Sequence, residues 1–160
     1  MTSSTKSEIR AYGIRVLQSR HPAIRRLKRL HTPSVHGNKH WASSWLVMDY
    51  FRRHGLPEGV RVMEIGCGWG LAGVYCAKKH GASVTGVDID PEVFPYLQLH
   101  ADLNEVQISV LPMKFNRLKE EHLQGIDVLI GADICFWHRM VYPLRRLIHR
   151  ALTAGVQLVI

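Results

Sequence analysis

The stretch at residues 62–73, VMEIGCGWGLAG, constrains this chain more than any other. An apolar run holding a single acid, Glu64, leads directly into Gly66, Gly68, Gly70 and Gly73. Glycine loses more conformational freedom on ordering than any other residue, so a cluster of it at a strand end needs a geometric reason. A sharp strand-to-helix turn, with bare backbone brought close to another group, supplies that reason. Turns of this kind lie at the carboxyl ends of parallel strands, where ligands bind in open α/β sheets.

The remaining pattern agrees. Residues 60–65 read as a strand and 71–80 as a helix stopped by Gly81, with a second strand at 83–87. Asp90 offers an N-cap and Pro91 a first helical position for a helix reaching about Asn104, although Pro95 blurs its start. Residues 107–111, 126–131 and 156–160 read as further strands. A short helix is expected over 115–122 and a longer one over 143–152, where Leu144, Leu147, Ile148, Ala151 and Leu152 form one apolar face. Strands alternating with helices predict an α/β fold: a doubly wound, mostly parallel, Rossmann-like sheet with helices on both faces. The final VQLVI is a strand core with nothing after it to cover it, so C-terminal strands are expected to be missing from this chain.

Charge divides the chain unevenly. Residues 1–54 carry eleven Lys/Arg against Glu8 and Asp49, whereas residues 55–160 are nearly balanced within the overall +8. We therefore expect a basic, largely helical arm over residues 1–40 and a ligand-binding domain over 41–160. In the arm, Ile24, Leu27 and Leu30 fall at helical spacing among Arg25, Arg26, Lys28 and Arg29. Such a helix suits either a solvated face laid on the body or an electrostatic surface for RNA or an acidic protein. Cys67, Cys76 and Cys135 are odd in number and far apart, and no metal-ligand spacing occurs among them or the ten histidines. No apolar run is long enough to span a bilayer and no leader is evident, so the expectation is a cytoplasmic protein without metal or membrane.

The acids refine the ligand. Glu64 sits at the tip of an apolar strand, where a buried carboxylate requires a partner such as a ligand amine. Asp88 ends the second strand, 22 residues after Gly66, where a carboxylate suits the two hydroxyls of a ribose. A shifted register, Gly68-x-Gly70-x-x-Gly73, matches the dinucleotide pattern of NAD-dependent oxidoreductases, but Gly66 already occupies the strand end where that pattern should begin.

MEIGCGWG followed by GVDIDPE resembles the class I, seven-strand S-adenosylmethionine-dependent methyltransferases over roughly residues 38–160. The resemblance implies S-adenosylmethionine as cofactor. Glu64 would orient its methionyl amine, Gly66, Cys67, Gly68 and Gly70 would pass beneath it, and Asp88 with Ile89 would hold the ribose. Ala132 and Phe115 would complete the cofactor set; the chain has Met113-Lys114-Phe115-Asn116 where that family usually has an acid followed by tryptophan. WASSWLVMDYF resembles the entry helix of the seven-strand protein-lysine methyltransferases, which implies a cofactor contact from Trp41. Asp133-Ile-Cys-Phe136 fits the D-x-x-Y/F signature of that subgroup, which makes Asp133 and Phe136 the candidate catalytic pair.

The reaction so implied is in-line methyl transfer, with a protein lysine as the expected acceptor. Its ammonium, with an unperturbed pKa of about 10.4, must first lose a proton; desolvation beside Phe136 and Trp137 would favour that loss. Asp133 would position the amine and His138 is a candidate proton acceptor, whereas Cys135 has no evident partner base. RNA or a small molecule is the alternative acceptor, and a non-catalytic binding module is the reading outside enzymes.

Overall fold

A computed structural model describes residues 7–34 and 36–160. Five strands form its central sheet: β3 (Arg61–Ile65), β4 (Ser83–Asp88), β5 (Ile108–Pro112), β6 (Val128–Ile130) and β7 (Leu158–Val159). Their order is β5-β4-β3-β6-β7 and every pair is parallel. The chain winds outward from β3 through α3 (Leu71–His80) to β4 and through α4 (Phe94–Leu103) to β5. It then returns past the short α5 (Glu120–Leu123) to β6 on the other side of β3, and α6 (Val141–Thr153) leads to β7. The reversal beside β3 is the topological switch point where such sheets bind ligands. Among the described residues no helix is long and apolar enough to cross a membrane.

Alternation along the strands explains why helices cover both faces. Val62, Val84, Val128 and Ile130 join one core with residues of α3 and α4, while Met63, Ile65, Val87 and Leu129 join a second with Leu147 and Ala151 of α6. Successive side chains point to opposite faces, so strands buried on both sides read as continuous apolar runs. The expected elements therefore appear with boundaries shifted by a residue or two. Asp90 caps a single 3₁₀ turn, Pro91–Val93, by accepting the Glu92 N–H, and α4 starts only at Phe94. The helix expected over 115–122 is broken into the 3₁₀ turn Phe115–Arg117 and α5.

The basic arm departs from expectation. Instead of being largely helical, it opens with an antiparallel hairpin, β1 (Glu8–Ala11) and β2 (Ile14–Leu17), before α1 (Pro22–Leu30); α2 (Ser43–His54) then precedes the sheet. Tyr12 and Gly13, at φ of 55° and 79°, make the two-residue turn whose twist matches paired strands. Ile14, Val16 and Leu17 are buried in the same core as α3 and α4, and Ile24 of α1 joins them. The compositional boundary near residue 40 is thus not a break in packing. Leu30, expected on the apolar face of α1, ends that helix 65% exposed.

The open edge of β2 is fastened to α4 by side chains in place of a third strand. Asn104 accepts the Arg15 N–H and donates to the Arg15 carbonyl, both at 2.8 Å. His100 accepts the Leu17 N–H at 3.2 Å through Nε2, while its Nδ1 lies 2.7 Å from the Tyr96 carbonyl. That pairing fixes a neutral ring with the proton on Nδ1. Burial accordingly pushes the His100 pKa from 6.5 down to about 4.

The sign of the resulting pH dependence follows. Between pH 6.5 and about 4 the unfolded chain takes up a proton that the folded chain refuses. Stability should be fully present above that window and fall, by on the order of 3 kcal/mol, as the pH drops through it. Urea denaturation at several pH values would show this loss, and His100→Gln should be less stable at neutral pH yet show a flatter acid limb.

Candidate functional site

Segments following β3, β4, β5 and β6 converge with the segment before α2 around a cavity of about 610 Å³. The cofactor contacts and the catalytic pair expected from sequence all line it: Trp41, Glu64, Gly66, Cys67, Gly68 and Gly70 with Asp88, Ile89, Phe115, Ala132, Asp133 and Phe136. His138 and Cys135, weighed as proton acceptor and nucleophile, do not line it.

Glu64 is 3% exposed and shares a sheet face with Val62, beneath the first turn of α3. Its Oε2 accepts the Gly73 N–H at 2.8 Å. A Cβ on Gly73 would lie 2.8 Å from that oxygen and 2.9 Å from Val84 Cγ1, so the fourth glycine permits the bond. Burial raises the Glu64 pKa to about 8, more than the Gly73 N–H lowers it, and the nearby Asp88 charge adds to the rise. Asp88 is also pushed up by burial, while the N–H groups of Asp90, Gly68 and Ile89 pull the other way. Its Oδ2 accepts from Gly68 and its Oδ1 from Asp90, each at 3.0 Å, which staples the glycine bend to the end of β4. Burial likewise holds the Cys67 thiol protonated.

The three glycines of the bend serve two different ends. Gly66, Gly68 and Gly70 all have positive φ, at 61°, 51° and 68°. A Cβ on Gly66 would meet Ile134 Cγ2 at 2.6 Å, and one on Gly70 would meet Leu97 Cγ at 2.6 Å. Those two positions are bare because neighbouring side chains occupy the space. At Gly68 a Cβ would meet nothing within 4 Å, so this is the position where bare backbone faces open cavity.

Apart from Trp41, the sequence did not single out the segment from His36 to Ser43 as a wall, yet His36, Lys39, His40 and Ser43 also line the cavity. Trp69, from within the glycine bend, anchors it by donating to the Gly37 carbonyl at 3.0 Å, and Trp41 donates to the His36 carbonyl at 2.9 Å. Burial, then the neighbouring Lys39, lowers the His40 pKa. His36 Nε2, His40 Nδ1 and Ser43 Oγ are buried without a hydrogen-bond partner among the described residues. The two histidines, lysine and tryptophan crowded into HGNKHW were the available signal. Across the cavity, Asp133 adopts φ 50° in an exposed loop, and Phe136 and Trp137 are 40% and 44% exposed. The drying of an acceptor that sequence reasoning assigned to these two rings is therefore only partial.

The geometry fits an S-adenosylmethionine-type ligand: a buried acid for a cationic amine, a second acid beside it for hydroxyls, and an open backbone cradle at Gly68. Among the described residues no group of three His, Cys, Asp or Glu is placed to hold a metal ion.

Comparison with known proteins agrees. Residues 62–155 match the family model described as a methyltransferase domain. A ubiquinone biosynthesis O-methyltransferase of Neisseria meningitidis serogroup C is 36% identical over 90 residues, covering 56% of this chain and 38% of the relative. A ribosomal protein L11 methyltransferase of Janthinobacterium is 29% identical over 100 residues, covering 62% and 31%. The chain thus spans well under half the length of these curated relatives. A solved S-adenosylmethionine-dependent methyltransferase from Geobacter sulfurreducens, in complex with S-adenosyl-L-homocysteine, superposes with a TM-score of 0.56 at 19% identity, over 66% of this chain and 42% of that one. This last likeness concerns the fold. With the family match extending over more than half its residues, the chain belongs to the class I, S-adenosylmethionine-dependent methyltransferase domains.

Proposed function

We propose that this chain carries out S-adenosylmethionine-dependent methyl transfer, with a small molecule as acceptor. The observation that carries the reading is the cavity in which Glu64 and Asp88 flank the open face of Gly68. When bound, the cofactor supplies a methyl group already activated on a positively charged sulfur. Glu64 would hold its ammonium, and the Asp88 oxygens, each using one lone pair on a backbone N–H, keep further lone pairs for ribose hydroxyls. The protein's share of the catalysis is then orientation of the acceptor, which can supply about 7–11 kcal/mol. Ubiquinone O-methyltransferases among the relatives support a small-molecule acceptor. A protein amine is the second reading, favoured by Asp133 and Phe136, which both line the cavity.

Three outcomes test this. With a pKa of about 8, Glu64 is mostly protonated at neutral pH in the free protein. An ammonium beside it favours the carboxylate, so binding of S-adenosylhomocysteine should expel a proton. Calorimetry in buffers of different ionisation enthalpy would read that proton. Glu64→Gln should abolish it and, like Asp88→Ala, weaken binding about tenfold or more; unchanged affinity in both variants would overturn the pocket.

The glycines give a second test. Gly68→Ala should cost only about 1–2 kcal/mol of backbone strain while sharply reducing S-adenosylhomocysteine affinity. Gly70→Ala should lower the melting temperature much further, because its Cβ collides with Leu97.

Third, cell extract supplied with methyl-labelled cofactor should yield label in the low-molecular-weight fraction. Label confined to protein would favour the amine reading, and label removed by RNase would favour RNA.

A further inference from the structure

Helix α1 divides into two faces. At 3.6 residues per turn, Arg25, Arg26, Lys28 and Arg29 fan over about 160° of its circumference. Ala23, Ile24 and Leu27 fill the opposite side, where Ile24 is fully buried and the other two pack against the main core. All four cations are exposed, and the helix contains no acid. None of them forms an ion pair with any described residue. Glu92, beside the C-terminal end of the helix, is engaged instead by the Thr32 N–H and the His31 ring.

Such a face works against the helix that carries it. Arg25 stands four residues before Arg29 and three before Lys28, spacings at which like charges repel. Lys28 and Arg29 suit the last turn, but Arg25 closes the first, where the helix dipole disfavours a cation. The fold supplies nothing that offsets these charges, so the anion that does comes from outside it.

The chemistry of the face selects among anionic partners. Three of the four cations are arginines, whose planar fork pairs with two phosphate oxygens at once. A docking protein needs an apolar centre within its polar rim, and Leu30 is the one large apolar side chain this helix exposes. A single leucine is also too little for insertion into a lipid surface. A second copy of the chain would bring the same positive charge. A duplex is read by a helix lodged in its groove, whereas α1 lies flat, with its apolar side packed toward α4 and the core. A flexible single strand can follow a flat face, and unpaired strands are the ordinary state of RNA loops.

We propose that α1 binds the phosphate backbone of single-stranded RNA. None of its four cations lines the cavity, so the inference goes beyond the methyl-transfer reading and does not depend on it. Contacts to phosphate hold a strand without reading its sequence.

The test is fluorescence anisotropy with a fluorescein-labelled oligouridylate of about twelve nucleotides, a length one small fold can cover. Binding is expected with a dissociation constant on the order of 10 μM at physiological salt, and four phosphate contacts give a slope of about −2.8 in log affinity against log salt. Arg25→Gln with Arg29→Gln should shrink that slope by about 1.4 and weaken binding about tenfold. Arg145→Gln with Arg146→Gln removes the same charge from exposed positions on α6 and should change neither. A duplex of the same length should bind more weakly, and an oligothymidylate no more tightly. The α1 pair should keep its S-adenosylhomocysteine affinity and melt no lower than the unmodified protein, since it relieves repulsion.

Absence of oligouridylate binding overturns the inference. So does equal weakening by the α6 pair, which would reduce the effect to net charge. Tighter binding of the duplex, of oligothymidylate or of polyglutamate overturns it in favour of those partners. A lowered melting temperature in the α1 pair would show that the arginines serve the fold, and would overturn it as well.

Discussion

One hydrogen bond organises this molecule: the Gly73 N–H donating to a carboxyl buried at the tip of the central strand. It can exist only because Gly73 has no side chain, which lets the first turn of α3 settle directly on Glu64 and Val84. The close approach fixes the angle at which the chain leaves β3. That angle sets the bend through Gly66, Gly68 and Gly70, which Asp88 then ties to the neighbouring strand. An acid in such a dry position is uncomfortable, and its raised pKa records the discomfort. The fold thereby keeps a charge in reserve that a cationic guest can draw out.

The parts of this arrangement that were legible in the sequence are those dictated locally. A strand end crowded with glycine, an acid in an apolar run and a second acid after the next strand each announce a backbone demand within a few residues. The period-two alternation of β3, β4 and β6 was hidden because both faces are covered, yet the alternation of strands with helices sufficed to predict a parallel sheet. What stayed hidden depends on distant partners. The strands of the N-terminal hairpin are four residues each and carry Arg10 and Arg15, so they resembled the rest of a basic arm. Their stability comes from His100 and Asn104, more than eighty residues away. The cavity wall near Lys39 was hidden for the same reason, since the turn is held from the glycine bend by the Trp69 indole, about thirty residues further along the chain.

The glycine motif also meant something more varied than sequence suggested. Read as a string, Gly66, Gly68 and Gly70 look equivalent, each clearing a path for a ligand. All three line the cavity, but only at Gly68 is the place of the missing Cβ empty, while the other two make room for Ile134 and Leu97. A recurring pattern of small residues can therefore mix recognition with packing. Local geometry, and not the pattern, separates the two.

Ile134 deserves a last comment for what it joins. Its side chain fills the hollow over Gly66, and from there the chain runs on to Phe136 and Trp137. The loop that carries Phe136 and Trp137 is thus keyed into the glycine bend by a single aliphatic side chain. Anyone grafting a different specificity loop onto this scaffold could exchange the residues after Ile134 freely, but would have to keep the key and its lock together.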